Sequence, residues 1–390
     1  MSSIAILTAT RAEYGLLKPF IRALQEEGIE TRVLVTGTHL SSFFGNTVNE
    51  IEADGIEIDE RIPILVDSDS PAGVSKTMAL ALSGFADYFA RRRPDALLVL
   101  GDRYETLAVC SAAFNERIPI FHLYGGETTE GAVDEAIRHA ITKMSYLHFT
   151  STDVYRKRVI QLGEAPERVF DVGAIGIENA MSMSLLNRQE LTGSLGIDAD
   201  IPYAVMTYHP VTLDSESPLE KLEELLEAIS GFPNLLFIAT KANADACGRA
   251  INMRLAEFEA KNTNFLLFDS LGSLRYLSAL KHAEVVIGNS SSGLLEAPAF
   301  GVPTVNIGNR QNGRIRPSSV IDCDEDRESI ERAIALALGD DFRDVVQKID
   351  NPYYKQGTSL HAAQIMAKTL DGQINLQKRF YDIDFTRTTA

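Results

Sequence analysis

Short loops of the chain combine arginine, carboxylate and glycine residues in patterns that suit phosphate binding and proton transfer. Three lie in the first half, Thr10–Gly15 (TRAEYG), Gly101–Arg103 (GDR) and His122–Glu127 (HLYGGE), and one lies in the second half, Gly288–Gly293 (GNSSSG). Arginine binds phosphate oxygens through paired hydrogen bonds, and carboxylates accept and donate protons. The residues therefore predict an anion-binding site with acid and base groups beside it.

Basic residues follow several predicted strands of this acidic protein. The chain has 37 Lys and Arg against 54 Asp and Glu, a formal net charge of −17. An anionic ligand must therefore be captured by a local group of cations against an unfavourable field. Arg11, Arg103 and Arg310 each follow a predicted buried strand, and Lys241 follows another. A single arginine is usually a solvated surface group, but three at strand ends predict a clamp for a diphosphate, with Lys241 as a further substrate-binding candidate.

The Gly288–Gly293 segment precedes a predicted helix. Its small residues, Ser290 and Ser291 among them, let backbone N–H groups and hydroxyls approach an anion, and the helix dipole would favour negative charge there. An ordinary serine N-cap has the same pattern. Glu296, three to five residues into that helix, would bind ribose hydroxyls or merely complement the dipole.

Acidic residues are concentrated in Asp134–His139 (DEAIRH), a predicted helix shortly after Glu127. Its i,i+4 pairs, Asp134 with Arg138 and Glu135 with His139, are also what a solvated helix surface would show. Their position beside the Gly-Gly-Glu sequence instead gives a dense group of carboxylates near the predicted phosphate site. That density suits proton transfer.

Several functional classes lack their motifs in this chain. No GxGxxG follows the first strand and no GxxxxGK[ST] occurs, which argues against NAD-binding and P-loop proteins. Cys110, Cys247 and Cys323 form neither a CxxC nor a Cys/His cluster, so no disulfide framework or zinc site is predicted. The net charge disfavours nucleic acid and anionic membranes as partners. Without a signal-peptide pattern at Met1–Thr8 or a long apolar run, we expect a soluble cytoplasmic protein.

Short apolar runs alternate with helical patterns along most of the chain, which is typical of parallel, doubly wound sheets. The pattern loosens between Glu178 and Asp200 and then restarts, so two Rossmann-like α/β domains are predicted, at residues 1–176 and 177–370, followed by a peripheral tail at 371–390. The predicted strands are 4–9, 32–36, 96–101, 118–123, 146–150, 169–172, 203–208, 235–240, 265–268, 285–287 and 304–307. A ligand cleft between two such domains would lie at the carboxyl ends of both sheets.

These motifs, together with Asp134–Lys143 (DEAIRHAITK) and His209–Val211 (HPV), resemble those of the hydrolysing UDP-N-acetylglucosamine 2-epimerases of bacterial sialic-acid and legionaminic-acid pathways. The resemblance covers nearly the whole chain. It implies a fold like that of GT-B glycosyltransferases, with the last helix returning to the first domain. It also implies a UDP-sugar substrate, no metal, no nicotinamide or other cofactor, and a homodimer or homotetramer.

The resemblance also assigns candidate site residues by motif. Those that look like the UDP-binding set are Arg11, Ser290, Ser291, Glu296 and Arg310. Those that look like the reacting set are Asp102, Arg103, Glu127, Asp134 or Glu135, and His209. Many relatives carry a carboxylate where this chain has Tyr124, so Glu127 is our substitute candidate.

The implied reaction converts UDP-N-acetylglucosamine and water to N-acetylmannosamine and UDP through a glycal. Inversion at C2 needs two proton-transfer groups, for which we expect Asp102 on one side and Glu127 or Asp134 on the other. The same reaction on UDP-2,4-diacetamido-2,4,6-trideoxyhexose remains an alternative. A non-hydrolysing epimerase is disfavoured by the GGE and DEAIRHAITK motifs. A GT-B glycosyltransferase and a nucleotide-sugar sensor are rivals from other classes.

Overall fold

The computed structural model describes residues 2–66, 68, 70–128, 133–210, 217–242, 248–346 and 351–384. Val211 and Cys247, which belong to the sequence patterns above, lie outside these residues, as do residues 385–390 of the predicted tail. The chain divides into two compact units. The first comprises the described residues of Met1–Glu127, Val133–Glu178 and Lys355–Ala390, and the second those of Thr128–Ala132 and Asn179–Tyr354.

Strands and helices alternate along the described residues. The strands are β1 (Ser3–Thr8), β2 (Glu30–Thr36), β3 (Ile58–Ile62), β4 (Ala96–Leu100), β5 (Ile120–Leu123), β6 (Leu147–Thr150), β7 (Val169–Asp171), β8 (Tyr203–Thr207), β9 (Leu236–Thr240), β10 (Phe265–Phe268), β11 (Val285–Gly288), β12 (Thr304–Ile307) and β13 (Val320–Cys323). The helices are α1 (Arg11–Glu26), α2 (Val48–Ala53), α3 (Pro71–Arg91), α4 (Tyr104–Asn115), α5 (Asp134–Met144), α6 (Asp153–Gln161), α7 (Ile175–Ser182), α8 (Arg188–Leu195), α9 (Pro218–Ser230), α10 (Gly248–Glu259), α11 (Gly272–His282), α12 (Glu296–Ala299), α13 (Arg327–Ala337), α14 (Asp340–Val346) and α15 (Thr358–Leu370).

Each unit contains one parallel sheet. Within the described residues, the first sheet has seven strands in the order β3-β2-β1-β4-β5-β6-β7, and the second has six in the order β10-β9-β8-β11-β12-β13. Every neighbouring pair is parallel. The prediction of two doubly wound α/β sheets is confirmed.

Strand β1 shows why the first sheet is covered on both faces. Its alternate side chains point to opposite sides. Ile4 and Ile6 share a core with residues of α1 and α15, including Met366. Ala5 and Leu7 belong to a second core with residues of α3 and α4. The C-terminal helix α15 therefore packs in the first unit, against α1.

Several elements of the described residues were not predicted from the sequence, and three of them, β3, β13 and α8, show why. Strands β3 and β13 are the outermost strands of their sheets, and their sequences, IDERI and VIDC, are partly exposed. Edge strands commonly carry charged residues, so these two lack the apolar run by which buried strands are found. Helix α8 lies inside the segment 178–200, where no helix was predicted. It begins at a capping box formed by Asn187 and Glu190.

No helix of the described residues combines the length and the apolar character that crossing a bilayer requires.

Candidate active site

Arg138 of α5 is the centre of a group of acidic residues at the carboxyl edge of the first sheet. Its side chain is only 4% exposed. Its guanidinium group donates to the Asp102 carboxylate, to Glu135 Oε2 at 2.8 Å and to the backbone oxygen of Glu127 at 2.8 Å. A buried arginine needs such charge-assisted partners. The structure thus brings Asp102, Glu127 and Glu135 together around one cation.

This arrangement corrects the predicted pairing of Asp134 with Arg138. Helix α5 begins at Asp134, and Arg138 bonds Glu135, three residues before it, and Asp102, which is 36 residues away in sequence. Asp134 is solvent-exposed, yet partial burial of its carboxyl group, followed by the negative charge of Asp102, raises its pKa. The pair of Glu135 and His139 forms at 3.2 Å as the helical spacing suggested.

The Gly125-Gly126-Glu127 turn is shaped by close backbone contacts. Gly126 has φ +78°, and a Cβ there would lie 2.4 Å from the Tyr155 carbonyl oxygen, so only glycine fits. Arg158 also donates to the Gly126 carbonyl at 2.8 Å. The turn places the largely buried Glu127 so that its Oε1 accepts a hydrogen bond from Ser151 at 2.8 Å. The Gly-Gly-Glu sequence therefore fixes the position of one candidate carboxylate.

His122 joins the strand ends that hold these carboxylates. Its Nε2 lies 2.7 Å from the Gly101 carbonyl oxygen and its Nδ1 lies 3.4 Å from Thr142 Oγ1. Because a carbonyl oxygen only accepts, the ring proton is assigned to Nε2. Burial lowers the pKa of His122 to about 3, so the ring is neutral. The motif histidine thus positions the loop of Asp102 and was not recognised from the sequence.

Tyr124 is the position at which the family resemblance led us to expect a carboxylate, and its partly buried side chain packs against the core. Its ring packs against the cluster formed around β1, and its hydroxyl oxygen accepts a hydrogen bond from the Gly176 N–H at 3.1 Å. Its φ of +67° is unusual for a residue other than glycine. The Tyr124 side chain therefore contributes packing and a hydrogen bond, and it supplies no carboxylate at this position.

Two further carboxylates surround the predicted phosphate-binding arginine Arg103. Its Nε lies 2.5 Å from Glu105 Oε1, and its charge also acts on Glu13. Glu13 closes a capping box with Thr10, and its Oε2 accepts from the Ala9 and Thr10 N–H groups at 2.7 and 3.1 Å. Burial raises the pKa of Glu13 to about 7. Glu13 and Glu105 were missed, although the T-x-x-E pattern at Thr10 could have identified Glu13.

Arg11 occupies a different environment from Arg103. Its side chain is 56% exposed, and its Nε lies 3.0 Å from Glu50 of α2. The exposed pair contributes little to stability, so the Arg11 guanidinium can exchange Glu50 for another anion at low cost.

Asn289 is the corresponding centre in the second unit, and it is fully buried. Its Oδ1 accepts from the His209 N–H and its Nδ2 donates to the His209 carbonyl, both at 2.8 Å. Its own carbonyl oxygen accepts from Arg310 Nη1 at 2.9 Å and from Gln311 Nε2 at 2.8 Å. Asn289 thus connects the loops after β8, β11 and β12 by hydrogen bonds. It brings His209 and Arg310 to the start of the segment Gly288–Gly293, called the serine loop below.

Gly288 allows this convergence, and His209 is neutral within it. Gly288 has φ +132°, and a Cβ there would lie 2.0 Å from the Thr207 carbonyl oxygen. Burial, followed by the positive charge of Arg310, lowers the pKa of His209 to about 4. Its neutral ring can accept or donate a hydrogen bond at neutral pH.

The predicted helix after the serine loop is largely absent, and the expectation of a helix dipole there is wrong. Ser291–Gly293 forms a single 3₁₀ turn in which Ser290 Oγ accepts from the Ser292 N–H, and α12 spans only Glu296–Ala299. Pro298 lies inside this short helix, where it cannot donate a backbone hydrogen bond. The loop therefore offers hydroxyls and N–H groups of a turn instead of the end of a long helix.

Glu296 and Lys241 also differ from their predicted settings. Glu296 is the first residue of α12, and burial raises its pKa. Its Oε2 has no hydrogen-bond partner among the described residues. Lys241 follows directly after β9 and forms an ion pair with Asp269, whose side chain is 86% exposed. The structure therefore places Lys241 in a surface ion pair and gives Glu296 a free acceptor.

Within the described ranges, no group of three or more His, Cys, Asp or Glu residues could hold a metal ion. Cys110 and Cys323 are free thiols.

Two doubly wound sheets with polar loops at their carboxyl edges define an α/β protein with a GT-B-like two-domain fold, as predicted. The model of the UDP-N-acetylglucosamine 2-epimerase family matches residues 22–367. The chain belongs to this family.

Relatives and solved structures agree with this assignment. The chain is 41% identical to the polysialic acid biosynthesis protein P7 of Escherichia coli, covering 98% of each chain. It is 43% identical to the GDP/UDP-N,N'-diacetylbacillosamine 2-epimerase (hydrolyzing) of Campylobacter jejuni, over 82% of this chain and 83% of that one. The Methanocaldococcus jannaschii UDP-GlcNAc 2-epimerase in complex with UDP-GlcNAc and UDP has the same fold, with a TM-score of 0.76, 18% identity and coverage of 94% and 99%.

Proposed function

We propose that this protein is a hydrolysing 2-epimerase, which releases UDP from a UDP-2-acetamido sugar and inverts C2. The observation that supports the proposal is the pair of Asp102 and Glu135 carboxylates held by the buried Arg138, which also donates to the main-chain carbonyl of Glu127. Together with the neighbouring Asp134, it provides the two proton-transfer groups that inversion requires. The family assignment supports the same chemistry.

The C2 hydrogen of a sugar is not acidic, so the reaction must begin at C1. The C1–O bond breaks with its electron pair leaving on UDP, and a base then takes the C2 proton to give a glycal. Water adds at C1 while an acid delivers a proton to the opposite face of C2. The products are UDP and the free C2 epimer, and no oxidant or reductant is consumed.

The two proton-transfer roles are assigned to Asp102 and to Glu127 or Asp134. Asp102 is oriented by its hydrogen bond from Arg138 and serves on one face of the sugar. Asp134, whose pKa is raised, suits the group that delivers a proton on the other face. Glu127 is the alternative, because Ser151 holds its carboxylate in place.

The second unit is proposed to bind UDP. Arg310 and the backbone and hydroxyl groups of Ser290 and Ser291 would be the donors for the diphosphate. Glu296 Oε2, which has no hydrogen-bond partner among the described residues, suits ribose hydroxyls. Neutral His209 would orient the leaving phosphate or the water. Donors aimed at a leaving diphosphate lower the barrier to its departure, and each well-placed group raises the rate by about 100- to 1000-fold.

We propose UDP-2,4-diacetamido-2,4,6-trideoxyhexose as the preferred substrate. Relatives from Campylobacter jejuni and Legionella pneumophila are named as hydrolysing diacetylbacillosamine 2-epimerases. UDP-N-acetylglucosamine is the second candidate, because the equally similar Escherichia coli relative is named for polysialic acid biosynthesis. The two sugars differ at C4 and C6 and share the reacting C1 and C2.

Proton NMR of the purified protein with each UDP-sugar in deuterated buffer tests the function and the substrate together. We expect UDP and a free sugar with deuterium at C2, formed fastest from the diacetamido sugar. A parallel reaction with the GDP-linked sugar tests whether the protein accepts GDP in place of UDP. Hydrogen retained at C2 would contradict the glycal route. UDP release that requires an added acceptor would indicate a glycosyltransferase, and binding without turnover would indicate a sensor.

A further inference from the structure

The segment after α15 is anchored to the end of the helix that carries the candidate acid and base groups. Lys378 Nζ donates to the Lys143 carbonyl at 2.9 Å and to the Ser145 carbonyl at 2.7 Å. Lys143 lies in the last turn of α5, and Ser145 is the residue that ends the helix. The last carbonyls of a helix have no partner within it, and a cation there is favourable. Lys378 therefore caps the C-terminus of α5.

A buried carboxylate strengthens this contact. Glu164, only 2% exposed, accepts from Lys378 Nζ at 2.6 Å, from Lys143 Nζ at 2.5 Å and from His148 Nε2 at 3.1 Å. Burial alone would raise the pKa of Glu164, but His148 and the two lysines lower it to about 2. The carboxylate is therefore charged at neutral pH, and removing one lysine would leave a buried negative charge less well paired.

The residues after Lys378 add contacts that fix the segment. The ring of Phe380 covers Gly163, where a Cβ would lie 2.3 Å from the ring. The Tyr381 N–H donates to the Gly163 carbonyl at 3.0 Å, and the Phe380 ring lies 5.1 Å from Lys143 Nζ. Gly163 has φ +88°, so glycine is required both by the backbone and by the ring.

We propose that Lys378 is a positioning residue for the reaction, because it holds α5 in the place that aligns Asp134, Glu135 and Arg138. The proposal rests on the proposed function of these residues. Helix α5 has 11 residues and a length of about 16 Å, so its two ends move as one rigid element. A misplacement of about 1 Å at a reacting group can cost about 100-fold in rate. The Arg138 contacts to Asp102 and Glu127 depend on this placement.

The test compares Lys378→Met with Arg379→Met, the neighbouring exposed residue, in the full-length protein. We expect Lys378→Met to lower kcat by about 10-fold with KM within about 2-fold, since alignment is lost and substrate binding is kept. Lys378→Arg should restore most of kcat, and Arg379→Met should match the wild type. Amide hydrogen exchange in α5 should be faster only in Lys378→Met. Assays well below the unfolding temperature separate misalignment from unfolding.

Two results would overturn the inference: unchanged kcat with unchanged α5 exchange in Lys378→Met, or equal losses of kcat in Lys378→Met and Arg379→Met. If Lys378→Met does not fold, Phe380→Ala loosens the segment that carries Lys378, and wild-type kcat and α5 exchange in that variant would contradict the inference. If the wild type turns over no UDP-sugar, the proposed function fails. The exchange comparison then still decides whether Lys378 holds α5.

Discussion

The two strand-edge sites of the molecule are built around different kinds of central residue. In the first unit the centre is the cation Arg138, which holds the Asp102 and Glu135 carboxylates. In the second unit the centre is the neutral amide Asn289, which holds backbone groups of His209 and receives Arg310. Titratable carboxylates are therefore concentrated in the first site. Under the proposed function, the first site supplies the proton-transfer groups and the second site supplies donors for the diphosphate.

The largest expected effect separates these two roles. Asp102→Asn removes one proton-transfer group but keeps the size of the side chain. We expect turnover to fall by about 10²- to 10⁴-fold, while UDP affinity stays within about 2-fold of the wild type because Asp102 is not among the proposed UDP-binding residues. Steady-state kinetics and UDP titration calorimetry measure the two quantities. Full activity in Asp102→Asn would remove this residue from the mechanism.

Loss of the central cation is expected to have the next largest effect. Arg138→Met leaves the Asp102 and Glu135 carboxylates and the Glu127 carbonyl without their donor, so we expect a loss of about 3–5 kcal/mol in the free energy of unfolding. Urea unfolding measures it. Arg11→Met is the matched control, since the exposed pair with Glu50 contributes at most about 1 kcal/mol. Equal losses in the two variants would mean that Arg138 has no central role.

The sequence predicted the strands of both sheets best where they are buried on both faces. Buried parallel strands such as β1 are continuous apolar runs, whereas the edge strands β3 and β13 carry charges and were missed. The Thr10, Asp102 and Gly-Gly-Glu loops were located correctly at strand ends, because the fold class fixes where such loops lie.

The pairing within the sites was harder to predict, because it depends on contacts distant in sequence. Helical spacing considers only neighbours on the same helix, so it pairs Arg138 with Asp134 and cannot detect Asp102 on another strand end. The serine loop was predicted to open a helix, but a single 3₁₀ turn follows it and α12 spans only Glu296–Ala299. Pro298 disfavours a continuous helix from Ser291 onward, because it would clash with the carbonyl four residues before it.

A third variant tests anion binding in the second unit. Arg310→Met removes a candidate diphosphate donor, and we expect UDP affinity to fall by about 2 kcal/mol, or about 30-fold. Arg316→Met is the control from the same loop, because Arg316 pairs with Asp322 instead. Titration calorimetry with UDP measures both. If the two variants bind UDP equally well, Arg310 is not a diphosphate ligand.

The smallest expected effect concerns His122 of the first site and His209 of the second, because each site contains a buried histidine with a lowered pKa. Burial is the main cause that lowers the pKa of His122 to about 3 and that of His209 to about 4. The unfolded chain, with an ordinary histidine pKa of about 6.5, then binds more protons than the folded chain below that pH. Each histidine therefore contributes stability that is complete above pH 6.5 and is lost as the pH falls toward its folded pKa. Between pH 7 and 5.5 the loss is about 1 kcal/mol per histidine.

The effect of Glu13 on the pH dependence of stability is opposite to that of the histidines. Its pKa is raised to about 7 in the folded protein, from about 4.5 in the unfolded chain, so its burial destabilises the fold as the pH rises above 4.5. Comparing each histidine variant with the wild type cancels this contribution. We expect His122→Gln and His209→Gln each to reduce the loss of unfolding free energy between pH 7 and 5.5 by about 1 kcal/mol, measured by urea unfolding at both pH values. Equal reductions of the pH-dependent loss in the two variants would show that the histidines of the two sites behave alike. The two sites would then differ in their carboxylates and not in their histidines. An unchanged pH dependence in His209→Gln would mean that this ring has the same pKa in the folded and the unfolded protein, and the second site would then carry a charge that titrates in this pH range.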